Sequence, residues 1–207
     1  MTQNLPNGLT DTWLWSEEKG QGFHTRPAML YSGDYFAHYR TLDAQPMGAL
    51  LTKARLELVS KYTDPRLGVD IGIGGGRYVE ESRGCGFDVC KDAVNWLHAG
   101  DCYLNPYTSF QGVHAATCWD SLEHIPEPEK LLAQVKSWLF VSMPIYEDQA
   151  DVLQSKHYKP GEHLHYFSLT GFVNWCAALG FECVEINHAE TELGRDGITS
   201  FAFRRVA

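Results

Sequence analysis

The stretch Gly68-Val69-Asp70-Ile71-Gly72-Ile73-Gly74-Gly75-Gly76-Arg77 decides the fold class. Its apolar start reads as a short strand, its glycines as a tight turn, and the residues after Gly76 as the opening of a helix. Glycines at such a turn permit positive φ and let a ligand approach the backbone closely. The helix behind them presents N–H groups without intrahelical partners. Several nucleotide-type cofactors use this layout, and a tight turn without a ligand is the alternative. Asp70 separates the readings, because it stands at the strand end ahead of the glycines. Its charge repels a diphosphate and attracts a cofactor with cationic groups.

Downstream, strand-like and helix-like runs alternate. Strands are expected at 67–73, 85–89, 113–119 and 139–143, with helices at 77–82, 91–98 and 128–138. A helix over 169–179, closed by Gly180, then precedes β-like runs at 181–186 and 198–203. This alternation predicts an α/β fold, doubly wound, with a mainly parallel sheet and helices on both faces. Ligands of such sheets bind outside the carboxyl ends of the strands, where strand order reverses.

Upstream, residues 1–30 are rich in Gly, Pro, Thr and Asn and carry Trp13, Trp15 and Phe23. They read as an irregular arm that packs through its aromatic residues. From 31 to 62 the pattern is helical, with Ala49, Leu50, Ala54, Leu56, Leu58 and Val59 at helical spacing, until Thr63-Asp64-Pro65 stops it. Tyr31, Tyr35, Phe36 and Tyr39 form an aromatic stripe, expected to pack as core or lid. The chain thus divides into an N-terminal arm with helices at 1–65, a lid or substrate region, and a core at 66–207.

Bulk properties narrow the function. The 207 residues suffice for one compact domain with a modest extension. A net charge of −9 argues against a nucleic-acid partner, which calls for a basic face. No apolar run is long enough to cross a membrane and no secretory signal is visible, so a cytoplasmic location is expected. The six cysteines form no C-x-x-C pair and read as reduced, buried thiols.

A second acid, Asp88, ends the next strand in Gly86-Phe87-Asp88-Val89, where a carboxylate can accept both hydroxyls of an adenosine ribose. Asp101, with Cys102 beside it, follows the next helix and is expected to meet the adenine. The cofactor suggested by a cation-seeking Asp70 and a ribose-seeking Asp88 is S-adenosyl-L-methionine, which carries a sulfonium and an ammonium group.

With these residues in view, the chain resembles the class I S-adenosylmethionine-dependent methyltransferases, closest to the branch acting on small molecules. Residues 70–76 look like that family's first motif and Gly86-Phe87-Asp88 like its second. The run Asp120-Ser121-Leu122-Glu123-His124-Ile125-Pro126 looks like its fourth. Gly161-Glu162-His163-Leu164-His165-Tyr166-Phe167-Ser168 is similar to the entry to its late helix, and Leu179-Gly180-Phe181 to the exit into the sixth strand. The likeness spans roughly residues 66 to 205. It implies a Rossmann-like, mainly parallel seven-stranded sheet with an antiparallel last strand and an N-terminal helical extension. Asp70, Gly72, Gly74, Gly76, Asp88, Asp101, Cys102 and Asp120 would then surround the cofactor.

Methyl transfer from a sulfonium is an in-line displacement with a good leaving group, so alignment matters most. A hydroxyl or amine acceptor also needs a base, and histidine suits that role near neutral pH. The candidates are His124, His163 and His165, while Asp120 is placed to touch substrate or cofactor. No histidine shows an H-x-x-x-H or H-E-x-x-H spacing, so no metal is expected. Asn105-Pro106-Tyr107 is similar to a motif of amino-directed nucleic-acid methyltransferases, but it lacks one proline and precedes the fourth strand. The expected function is methyl transfer to an O or N atom of a small-molecule acceptor, with a homodimer left open. The alternatives are methylation of a tRNA, DNA or protein, and a binding module without turnover.

Overall fold

The computed structural model describes residues 13–24 and 33–206; Tyr31 of the aromatic stripe lies outside them. The chain opens with a hairpin, β1 (Trp13–Ser16) and β2 (Gln21–His24), followed by helices α1 (Gly33–Asp43) and α2 (Pro46–Ser60). The core then runs β3 (Gly68–Ile71), α3 (Arg77–Ser82), β4 (Cys85–Phe87), α4 (Lys91–Ala99) and β5 (Val113–Trp119). It continues with α5 (Pro128–Leu132), β6 (Val135–Pro144), α6 (Gln149–Gln154), β7 (His165–Phe167) and α7 (Leu169–Ala178). Strand β8 (Phe181–Asn187), the short α8 (Ala189–Glu192) and β9 (Ile198–Arg205) complete it.

Six strands form the main sheet in the order β4-β3-β5-β6-β9-β8. Strands β4, β3, β5 and β6 are mutually parallel, and β9 runs antiparallel between β6 and β8. The expected doubly wound α/β sheet with an antiparallel last strand is therefore present, with one strand fewer than seven. The seventh position survives as a single parallel bridge from Tyr103 to Gly86 at the β4 edge. Pro106 follows closely and cannot donate to a ladder, which keeps this edge from lengthening.

Burial on both faces explains the apolar strands. Ala115, Ala116 and Cys118 of β5 and Leu139, Phe140 and Val141 of β6 are all fully buried. Phe172 of α7 packs edge-on to Phe201 and Phe203 of β9 on one face. On the other, Leu58 and Val59 of α2 join Ala115, Phe140 and Ala202 in a second apolar cluster.

Three expectations change. The helix anticipated over 128–138 stops at Leu132, because Trp138 pairs with Ala115 on one side and Arg204 on the other. Those two ladders outweigh a local helical pattern. The single helical stretch of 31–62 breaks into α1 and α2. The aromatic arm contains a hairpin rather than irregular chain: β2 pairs with β1 and also with β7, giving a separate three-stranded sheet. Its turn residue Gly20 has φ +57 and lies against α7, where a Cβ would strike the Ser168 side chain.

Candidate cofactor and acceptor site

The strand order reverses between β4-β3 and β5-β6, and the carboxyl ends of β3 and β5 lie side by side at that point. The glycine turn leaves the end of β3, with Gly72, Gly74 and Gly76 at φ of 71, 55 and 85°. At Gly72 a Cβ would come within 2.8 Å of the Ser121 Cβ, so glycine is needed for the β3 and β5 ends to meet. Ser121 Oγ donates to the Ile71 carbonyl across the same gap at 2.5 Å. A Cβ on Gly74 would meet only Tyr39 at 3.6 Å, which leaves that part of the turn approachable.

Asp70 is buried at the middle of β3 and accepts from the Thr117 hydroxyl at 2.6 Å. Burial raises its pKa to about 7, against the pull of Thr117 and of the Arg55 charge. Asp88 accepts from the Ile73 N–H at 2.9 Å and from the Cys90 N–H at 2.7 Å. Both oxygens are fixed by backbone donors and each keeps a lone pair for a further donor. This carboxylate therefore ties the glycine turn to the end of β4.

The donor set fits a cationic cofactor and not a diphosphate. The N-terminus of α3, where a phosphate would sit, already holds the Asp43 carboxylate, which accepts from the Arg77 N–H at 3.2 Å. Arg77 Nη1 donates to the Asp43 carbonyl and Arg40 Nη1 to the Gly75 carbonyl. Helices α1 and α2 thus clasp the outer side of the glycine turn. Sequence reasoning assigned them to a lid region, but no local signal marked Asp43 as a cap for a distant helix.

Not every expected residue converges. Asp101 is exposed, at φ +52, in the turn that precedes the Tyr103 bridge. That is the amino end of the strand position, away from the carboxyl ends where Asp70 and Asp88 gather. Cys102 turns back to α4, its N–H donating to the Leu97 carbonyl. Beyond the bridge, Tyr107 packs edge-on to Phe87 at the carboxyl edge of β4, and Asn105 caps that turn by accepting from the Tyr107 N–H.

Asp120, directly after β5, adopts φ +52 and accepts from Arg195 Nη1 at 2.7 Å and Arg55 Nη2 at 3.3 Å. Glu190, 1% exposed, accepts from the same two guanidiniums. Burial opposes the charge of Glu190, but Arg55 and Arg195 outweigh it and hold the carboxyl at about 2. Arg55 also lies over the Trp119 ring at 5.3 Å. This four-membered ion network fixes the chain leaving β5, and sequence reasoning found only Asp120.

Next comes the turn Leu122–His124. The Leu164 N–H donates to the Glu123 carbonyl at 2.8 Å, which brings the 163–165 segment against it. The His124 and His163 rings meet at 4.7 Å, nearly perpendicular. Burial lowers the pKa of both, that of His163 to about 2, so both rings are neutral. His165 parts from them: its Nε2 is 2.9 Å from the Ile125 carbonyl, and its ring stacks on Phe167. His163 and His165 thus have different neighbours. Beyond them lie Tyr146, Tyr158, Tyr166 and His24, a wall of aromatic rings.

All six cysteines are free thiols; Cys90, Cys118 and Cys176 are buried, whereas Cys85, Cys102 and Cys183 are half-buried rather than buried as expected. Among the described residues no helix is long and apolar enough to cross a membrane.

The methyltransferase-domain family matches residues 36–186, beginning within the helices ahead of β3. No curated protein matches the chain in sequence. Solved structures share its fold at low identity. Magnesium protoporphyrin IX methyltransferase from Synechocystis, with S-adenosylhomocysteine bound, superimposes with a TM-score of 0.62 at 11% identity, over 84% of this chain and 95% of that one. A complex of the Haloferax volcanii Trm112 activator with a putative methyltransferase gives 0.61 at 13% identity, over 84% and 97%. A possible histamine N-methyltransferase from Thermotoga maritima gives 0.58 at 15%, over 83% and 96%. The family match covers most of the chain, and the strand order, glycine turn and acid pair agree with it: the chain belongs to the class I S-adenosylmethionine-dependent methyltransferases.

Proposed function

We propose that the protein transfers the methyl group of S-adenosylmethionine to an oxygen or nitrogen of a small-molecule acceptor. The cofactor supplies the electrophilic methyl group. The open turn at Gly74 gives it a close approach to the protein backbone, while Gly72 and Gly76 shape that turn against Ser121 and Trp96. Asp70 offers negative charge to its cationic end, and Asp88 accepts the ribose hydroxyls. The turn after β5 presents Glu123, His124 and His163 at the same end of the sheet, where the acceptor proton is handled. His165, bonded to the Ile125 carbonyl, positions that turn.

The observation that carries the small-molecule reading is the chain's net charge of −9. That charge disfavours a polyanion such as a nucleic acid as the acceptor. The magnesium protoporphyrin and histamine enzymes, by their names, act on small molecules and support the reading at the level of fold.

A labelled-methyl transfer screen across metabolite and nucleic-acid fractions tests it. Label is expected in a low-molecular-mass product; label only in nucleic acid or protein would overturn it. Asp88→Ala is expected to weaken cofactor binding in calorimetry by at least about tenfold, since a hydrogen bond to a charged group contributes about 1.5–3 kcal/mol. Unchanged affinity would remove Asp88 from the cofactor site.

A further inference from the structure

We propose that Glu123, His124 and His163 form a binding site for a divalent first-row transition-metal ion. One ligand atom from each of the three side chains lies within 4.8 Å of the others. An ion about 2.0–2.2 Å from each donor would hold them roughly 3–3.5 Å apart, a closure that side-chain torsions can supply. Three donors on two chain segments are held together by the backbone bond from Leu164 N–H to the Glu123 carbonyl.

The second observation is the Glu123 carboxyl itself. It is 1% exposed, and neither oxygen has a hydrogen-bond partner. His124 Nε2 stands 3.9 Å from Oε1, beyond hydrogen-bond reach. A buried carboxyl without donors is costly as an anion. It is therefore either a protonated acid or the partner of a cation that the polypeptide does not supply. The nearby cationic side chains are committed elsewhere. Arg195 is bonded to Asp120 and Glu190, and Lys159 pairs with Glu162 at 3.3 Å.

The donor chemistry narrows the ion. Two imidazole nitrogens with one carboxylate oxygen suit zinc, manganese, iron or cobalt, whereas calcium and magnesium prefer oxygen throughout. Neutral imidazole is the ligating form. An ion at this place would acidify an acceptor hydroxyl bound to it; that consequence, unlike the binding, rests on the methyl-transfer reading above. The histidine spacing gave no sign of it, because the donors meet only through the fold.

The test uses the full chain, freed of metal with a chelator. It is titrated with Co²⁺ followed by visible absorption and with Zn²⁺ followed by calorimetry, beside a separate titration with S-adenosylmethionine. One ion per chain is expected. Glu123→Gln and His163→Gln should each weaken its binding by at least about a hundredfold, while the surface variant His114→Gln leaves it unchanged. Cofactor binding by each variant reports that it is folded. Wild-type protein that binds cofactor but no ion, or a Glu123→Gln variant with undiminished ion affinity, would overturn the proposal and leave Glu123 a protonated structural acid. Equal loss in His114→Gln would do the same. Ion binding without cofactor binding would support the metal site and sink the methyl-transfer reading instead.

Discussion

The ends of β3 and β4 and the end of β5 lie at one edge of the same sheet, yet they are built differently. On the first side Asp88 and the glycine turn hold each other within a short stretch of chain, while Asp70 reaches Thr117 and Asp43 caps the turn's outer side from afar. Asp88 bonds to Ile73 and Cys90, and the glycine turn closes on itself through the Gly76 N–H and the Ile73 carbonyl. On the second side most contacts are long-range: Arg55 to Glu190, Arg195 to Asp120, Leu164 to Glu123, with the Arg195–Glu190 pair the local exception. A cofactor shared by a large family suits a site that a few consecutive residues can specify. An acceptor that differs between members suits a site assembled from separable pieces. The contrast makes the first half robust and the second easily dismantled.

The harshest way to break the contrast is Glu190→Ala. It leaves the guanidiniums of Arg55 and Arg195 without their buried partner and is expected to cost about 3–5 kcal/mol, read as a fall in the urea midpoint. If the loss were below about 1 kcal/mol, the network would not be what holds the acceptor half.

A smaller effect concerns Asp70. Its folded pKa, about 7, exceeds that of an unfolded aspartate. The folded chain therefore holds the extra proton, and that contribution is complete below about pH 4 and lost as pH rises toward 7. Cofactor-free protein should lose stability across this window, with Arg55 moderating and Asp88 and Asp43 adding to the effect. The slope should flatten in Asp70→Asn when urea unfolding is compared at about pH 5 and about pH 7.5. An identical slope in the variant would place the titration elsewhere.

The smallest expected effect is also the sharpest on placement. Asp101→Ala should change cofactor affinity by less than about twofold, because the residue sits at the amino end of its strand position. A tenfold loss would restore the sequence-based assignment.

What could be read in the sequence follows the same divide. Asp70, the glycines and Asp88 were legible because strand, turn and strand end are contiguous and each residue type has a stereochemical reason to be there. The alternation of elements also foretold the parallel sheet, and the family resemblance implied the antiparallel β9. Asp101 was expected to meet the adenine, but the strand position beside β4 starts after it, with the Tyr103 bridge, which leaves Asp101 at the amino end. Arg55 looked like an ordinary solvent position on a helix, and nothing near it in sequence names Glu190 as its partner. Glu123 and His163 were each visible, but only the fold makes them neighbours.

The small sheet has one more consequence. Its pairing of β2 with β7 puts Gln21 opposite Phe167, and the His24 N–H donates to the Leu164 carbonyl. The segment carrying His163 is thus fastened by strands from near the start of the chain. Closing so long a loop costs entropy that is recovered only once both ends are in place. During synthesis the hairpin must wait for most of the polypeptide to emerge, while the β3–β4 half can form from residues close in sequence. The half after β5 is therefore the last piece to assemble.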